Sequence, residues 1–241
     1  MTATLGILDL GRRPYRSTLA LQRALVERRR LGTLDHDLLL LVEHEPVVTL
    51  GRASQASSLP LGAAELGRRG VEVVEVERGG DVTWHGPGQL VGYPILDLTG
   101  HRQDLHWYLR QLEQLLIEAL ASMGLTGIRQ AGRTGVWTGG RKIASIGVHV
   151  RQWITFHGFA LNVHPDLRAF DQIVACGIAG VDMTSVEREL VLTAQSAGLG
   201  RERLWAAARE AVIAGSANVL GREAVGADPA LAELAEAPAE P

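Results

Sequence analysis

Apolar positions along the 241-residue chain follow two different periods, and the switches between them mark out its elements. Short runs rich in Val, Leu and Ile predict strands at Thr4–Leu10, Asp37–Glu43, Val47–Leu50, Val71–Glu75 and Leu90–Leu96, separated by Gly, Pro and Ser clusters. Three- and four-residue steps take over elsewhere. Ser17 to Leu31 reads as a helix with Ser17 as its N-cap and Gly32 just past its end. Leu105, Tyr108, Leu109, Leu112, Leu115, Leu116, Ala119, Leu120 and Met123 form the stripe of a second helix, capped by Asp104 and ended by Gly124. Further on, Gly135–Thr138, Lys142–Val150 and Trp153–Val163 read as strands, the last two forming a hairpin that turns at Arg151-Gln152. Thr184-Ser185-Val186-Glu187 has the form of a capping box, and Arg201 to Ala214 is an Ala-rich helix.

Strands and helices are mixed without strict βαβ alternation, which predicts an α+β fold with a mixed sheet. One domain is expected over residues 1–222. From 223 to 241 the chain turns to Ala, Glu and Pro, and a disordered tail is expected there. A net charge of −3 gives no bulk electrostatic case for nucleic acid or a membrane surface. The longest apolar run, Leu38 to Val42, is far short of the ~20 residues of a membrane span. The N-terminus lacks the basic-then-apolar order of a signal peptide, and one cysteine allows no internal disulfide, so a cytoplasmic protein is expected. No HExxH or CxxC spacing is present, and no metal is expected.

Among 24 basic residues Lys142 is the one lysine. Coding bias explains the arginines but not the survivor. Arginine keeps its proton at any working pH, whereas a lysine amine can exchange one, so a site that needs a proton-transferring amine cannot accept Arg. Lys142 follows a glycine turn at the start of the apolar strand Ile143-Ala144-Ser145-Ile146-Gly147, where its surroundings disfavour charge. Gly147 and Gly158 interrupt strand patterns, which predicts close backbone approach.

Two other segments carry candidate chemistry. Arg78-Gly79-Gly80-Asp81-Val82-Thr83-Trp84-His85-Gly86-Pro87-Gly88-Gln89 packs four glycines and a proline among polar and aromatic side chains, the composition of a ligand-binding loop rather than a simple turn. It lacks the lysine and the spacing of a phosphate loop. Cys176 lies between Ile173-Val174-Ala175 and Gly177, at an expected bend. A lone cysteine is most often a small buried hydrophobe; at a glycine bend it can be a nucleophile if a base or cation stands nearby. His149 and His157 flank the hairpin turn and read equally well as strand residues; His85 can orient other groups.

Together RGGDVTWHGPGQLVGYPILDL, GRKIASIGVHV with ITFHGFALNV, and IVACGIAG resemble the lipoyl(octanoyl) transferases, in order and spacing, over roughly residues 5 to 220. The resemblance implies a fold similar to biotin and lipoate protein ligase catalytic domains: a mixed sheet with a smaller antiparallel sheet, flanked by helices. It implies transfer of octanoyl, or lipoyl, from acyl carrier protein to a specific lysine of apo lipoyl domains, those of 2-oxoacid dehydrogenases and of the glycine cleavage H protein. The acyl group would pass through a thioester on Cys176, assisted by Lys142. Acyl contacts would come from Arg78 to His85, from Ser145, Ile146 and Gly147, and from Gly158, Phe159 and Ala160. No cofactor is implied, and a monomer is expected. The alternatives on the same fold are an ATP-dependent lipoate or biotin ligase and an amidotransferase that moves octanoyl between lipoyl domains. A non-catalytic acyl-binding module, with Cys176 as a core residue, is the reading from another class. Seven arginines against Asp9 and Glu27 in residues 1–30 suggest a basic face for acidic partners, or simply a solvated helix face.

Overall fold

A strand that is apolar on both faces must lie inside a sheet covered on each side, and Asp37–His44 (β2) is such a strand, with Leu38 to Val42 all buried. In the computed structural model, which describes residues 3–174, 181–193 and 200–235, β2 lies third in a large mixed sheet. Thr4–Arg13 (β1) and Glu223–Gly226 (β11) continue it in parallel on one side. On the other side Gln89–Ile95 (β6), Ile154–Asn162 (β10), Arg141–Arg151 (β9), Arg133–Thr138 (β8) and Ile128–Gln130 (β7) follow antiparallel. The order is β11-β1-β2-β6-β10-β9-β8-β7.

Each face has its own cover. Leu105–Ser122 (α3) and Arg201–Leu220 (α5) pack Tyr108, Leu112, Leu116, Ala208 and Val212 against Leu39, Leu41, Phe159 and Leu161. Tyr15–Arg30 (α1) covers the other face with Leu19, Leu21, Leu25 and Val26. Val47–Leu50 (β3), Glu72–Glu75 (β4) and Val82–His85 (β5) make a second sheet, packed with Leu66 of Gly62–Arg68 (α2) and with Phe170. None of the described helices is long and apolar enough to cross a membrane.

The expected α+β architecture is present, with one change of detail. The small sheet is mixed, because β3 runs parallel to β4 and antiparallel to β5. Part of the segment expected as loop is therefore strand: Val82, Thr83, Trp84 and His85 are all buried in β5. The β9–β10 hairpin is present, but its turn sits at Gln152 and Trp153, both at positive φ. Asp104 caps α3 by accepting from the Trp107 N–H. Ser185, not Thr184, caps the helix Val186–Leu192 (α4), accepting from the Arg188 N–H, so the capping motif lies one residue later than its sequence form suggested. The segment expected to be disordered from residue 223 is ordered as far as 235. β11 extends the sheet beside β1, and a short 3₁₀ turn at Pro229–Ala235 sets Leu231 and Leu234 against the core under α1. A strand that joins an existing edge needs little apolar content of its own, which is why composition misled.

Asp37, at the start of β2, is the ionic node that ties this last segment down. Its carboxylate accepts from His101 Nε2 (2.6 Å) and Arg29 Nη2 (3.3 Å), and Arg222 Nε stands 3.4 Å away. Burial alone would raise its pKa, but the hydrogen bond from His101 and the neighbouring charges outweigh it and hold the carboxyl below its ordinary value. A carboxyl depressed in the folded state contributes stability above its unfolded pKa of about 4, and that contribution is lost as the pH falls through the folded value. Asp37→Asn is expected to destabilise the protein by roughly 3 kcal/mol at pH 7, and by progressively less below pH ~4, in urea titrations at the two pH values.

Candidate active site

Between the β9–β10 hairpin and the segment Arg78–His85 lies a cavity of about 210 Å³. Arg78, Gly80, Asp81, Val82, Thr83 and His85 line one side of it. Ser145, Ile146 and Gly147 of β9, with Gly158, Phe159 and Ala160 of β10, line the other, and Lys142 is in the wall as well. Three segments far apart in sequence thus meet at one hollow.

Two glycines permit close approach beside it. Gly147 and Gly158 face each other across the hairpin. A Cβ on Gly158 would stand 2.1 Å from the Gly92 carbonyl oxygen, and one on Gly147 would stand 3.0 Å from Arg78 Cδ and the Gly79 oxygen. The Gly79 N–H donates to the Val148 carbonyl (2.9 Å), which fastens the segment over the hairpin. Arg78, itself buried, donates from Nη2 to the Thr49 carbonyl (2.7 Å) and hydroxyl (2.9 Å) and from Nη1 to the Gly79 carbonyl (3.1 Å). Its charge is thereby spread over backbone acceptors while its stem roofs the cavity.

A buried relay joins the segment to the Lys142 strand. His85 Nδ1 is paired with Gln89 Oε1 (2.7 Å). Gln89 Nε2 donates to Asn162 Oδ1 (3.0 Å), and Asn162 Nδ2 donates to the Thr184 carbonyl (3.0 Å). The Thr184 N–H donates in turn to the Lys142 carbonyl (2.9 Å). His85 also stacks on Tyr15, whose ring packs on His44, and His44 Nε2 pairs with the Tyr93 hydroxyl (2.7 Å). Burial pushes His85 down to about 3, helped by His44, and pushes His44 down to about 4. It drives Tyr15 and Tyr93 upward. All four rings are therefore neutral near pH 7, and three of them, Tyr15, His85 and Tyr93, line the cavity together with Arg78, Asp81, Arg133 and Lys142.

Lys142 is buried, with its Nζ 5.1 Å from the centre of the Trp137 ring. Its backbone bridges to the segment around Met183, the N–H donating to the Asp182 carbonyl (2.8 Å). On the other side of residues 175–180, the Val174 N–H donates to the Ser58 carbonyl (3.0 Å), and Ser58 Oγ donates to Asp81 Oδ2 (2.6 Å). Cys176 itself lies outside the described residues.

Two of the expected contacts are not at the cavity. Trp84 turns into the core under the small sheet, edge-on to Phe170 at 5.5 Å, and Gly79 takes part through its backbone alone. Alternation along β5 explains this, since Thr83 and His85 point one way and Trp84 the other. Sequence reasoning missed Tyr15, Val91 and Tyr93, and also Gly132, Arg133 and Thr134 from the β7–β8 turn. That turn is held by the buried Glu113 of α3, which accepts from Arg129 Nε (3.0 Å) and the Gly135 N–H (3.3 Å). No local pattern marks these positions; a Tyr following Pro14 at a helix start reads as ordinary core. His157, read as an equal choice between strand and site, also lines the cavity. The expected basic face of residues 1–30 is largely self-neutralised, with Arg12, Arg16, Arg23, Arg29 and Arg30 each paired to a carboxylate.

A sequence model described as the lipoyl protein ligase A/B catalytic domain matches residues 14–198, and the chain belongs to that family. Within it the chain belongs with the octanoyltransferases. It is 55% identical to the octanoyltransferase of Gloeobacter violaceus over 172 residues, covering 71% of this chain and 75% of that one. With the Geobacter sulfurreducens octanoyltransferase it shares 54% over 183 residues (76% and 74%), and with that of Rubrobacter xylanophilus 49% over 213 residues (88% and 91%). The fold is similar to a crystal structure of lipoate-protein ligase A bound with ATP, with a TM-score of 0.73 at 17% identity, covering 98% of this chain and 93% of that one. It is also similar to a bipartite lipoate protein ligase from Thermoplasma acidophilum, with a TM-score of 0.68 at 17% identity over 98% and 91% of the two chains.

The relay gives a direct check on how the cavity is held. Asn162→Ala leaves Gln89 Nε2 and the Thr184 carbonyl without their partner. It is expected to cost about 2 kcal/mol, readable as a lowered urea midpoint at unchanged m value.

Proposed function

We propose that this chain transfers octanoyl in lipoate biosynthesis, taking it from acyl carrier protein and delivering it to the ε-amine of a lysine on an apo lipoyl domain through a thioester on Cys176. Membership of the octanoyltransferases carries the transfer itself. The observation that carries the residue assignment is the convergence of Lys142, of Arg78, Asp81, Thr83 and His85, and of Gly147 and Gly158 on one cavity. Both described flanks of residues 175–180 are tied to that cavity, one through Ser58 to Asp81 and the other directly to Lys142.

Chemically the route needs no activation. The Cys176 thiolate attacks the donor thioester carbonyl, the donor sulfur leaves and takes a proton, and an equivalent thioester stands on the enzyme. The acceptor amine then attacks that thioester, the Cys176 sulfur leaves, and an amide forms. The amide is the more stable product, so the second step drives the first. Lys142 is the group at the cavity that can receive the thiol proton, deliver it to the leaving sulfur and take up the amine proton. The acceptors under this reading are the lipoyl domains of 2-oxoacid dehydrogenase complexes and the glycine cleavage H protein, and the enzyme acts as a monomer.

Incubation with octanoyl-acyl carrier protein in the absence of ATP is expected to add one octanoyl group to the intact mass of the wild-type chain and none to Cys176→Ser. A chain that stays unmodified until ATP and free octanoate are supplied would instead be a ligase. Lys142→Arg keeps the charge and removes the base; it is expected to lower single-turnover transfer by about 10²-fold or more. Near-normal transfer by that variant would reduce Lys142 to an electrostatic role.

A further inference from the structure

Glu113 is a carboxylate in an apolar place. It lies on the face of α3 that buries Leu112, Leu116 and Leu120 in the core, and it is 1% exposed. A buried carboxylate is costly unless its oxygens are matched, and an apolar residue of similar size would pack there at less cost. Its two oxygens have different duties. Oε2 accepts from Arg110 Nη1 (2.5 Å) and Arg129 Nε (3.0 Å), two side chains that reach in from the surface. Oε1 accepts from the Gly135 N–H (3.3 Å).

Gly135 is where that second bond meets the site. It sits in β8 at a φ of 134°, a conformation that residues with a side chain rarely adopt. A Cβ there would stand 2.9 Å from Lys142 Cε, 3.4 Å from Lys142 Nζ and 2.6 Å from the Ala144 carbonyl oxygen. The lysine stem therefore lies against bare backbone at Gly135, and a shift of that backbone is passed on to the amine. The strand pairing next to it is irregular: Val136 faces Ala144, whereas Trp137 faces Lys142. A bulge of this kind re-aims a side chain. Glu113 ties this irregular stretch to the helix that packs against it.

We propose that Glu113 is a positioning residue for Lys142: by holding the Gly135 N–H it fixes the bare backbone against which the lysine stem lies, and so aims the amine into the cavity. The inference rests on the acyl-transfer reading above, in which Lys142 moves the protons. It adds a residue that touches neither the substrate nor the reacting atoms. A role confined to anchoring β7 through Arg129 would leave the amine where it is.

Lys142 is the one lysine of the chain, so protein labelled with lysine carrying carbon-13 at Cε gives a single lysine signal in an NMR spectrum. In the wild type the protons on that carbon are expected to show a nuclear Overhauser contact with the Gly135 α-protons, and a shift from the Trp137 ring, whose centre lies 5.1 Å from Nζ. Glu113→Gln keeps the volume but offers one side-chain oxygen where two served. The charged arginines claim it, and the Gly135 N–H is left facing an amide NH2. The lysine signal is expected to move or split in that variant. Its kcat for octanoyl transfer from acyl carrier protein to an apo lipoyl domain is expected to fall by about tenfold or more, with KM for the donor changed by no more than about twofold. Lack of the Gly135 contact in the wild type, an unmoved lysine signal in Glu113→Gln, or an unchanged kcat in that variant overturns the inference. The first of these needs no variant and decides the matter even if Glu113→Gln does not fold. Absence of octanoyl transfer by the wild type would instead overturn the underlying reading, while the lysine signal still decides whether Glu113 sets the amine.

Discussion

The site depends on keeping side chains off one stretch of a hairpin. The β9–β10 pair is central in the large sheet, where every outward position would ordinarily be filled by packing. Gly147 presents no side chain, and Arg78 with the Gly79 carbonyl closes over it. The Gly92 carbonyl lies so close to Gly158 that no other residue fits without separating β10 from β6. Under the proposed acyl-transfer reading, the slot beneath the Arg78 stem would receive a chain of methylenes. Burying each of those is worth ~0.8 kcal/mol, so the slot binds mainly by displacing water.

Around that slot the polar groups are arranged so that they do not compete for the ligand. Arg78 spends its donors on Thr49 and Gly79. His85, Gln89 and Asn162 satisfy one another in a line that ends at the Lys142 backbone. The relay therefore acts as a frame: it fixes where the β5 segment stands relative to the lysine strand, while burial keeps His85 neutral against the opposing pull of the Gln89 hydrogen bond. The Asp, Lys and Arg side chains that line the cavity are Arg78, Asp81, Arg133 and Lys142. The Asp37 node does for the far edge of the sheet what the relay does for the site, joining α1, His101 and the segment after α5 through one carboxylate.

Much of this was legible in the sequence, for identifiable reasons. The hairpin and α3 are long and strongly periodic, so packing confirmed what the pattern demanded. Lys142 stood out because one amine among so many guanidinium groups needs a cause. Gly147 and Gly158 were flagged by breaking strands that otherwise gain from larger residues. The failures share a different cause. Composition cannot tell which way Trp84 faces, and the strand alternation of β5 turns it into the core. Tyr15 and Tyr93 reach the cavity through tertiary packing that has no local signature. Residues 223–235 are too short and Ala-rich to fold alone, yet they order against β1 and α1, edges that exist only once the rest has folded.

The central claim is that the acyl chain lies along the hairpin floor, over Gly147 and Gly158 and beneath Arg78. A crystal structure of the wild-type chain loaded with octanoyl tests it directly. The account predicts continuous density for eight carbons that starts near Lys142 and runs over the Gly147–Gly158 pair. A chain lying instead in the separate hollow of about 410 Å³ bounded by Leu50, Arg52, Leu59 and Val76 would contradict it.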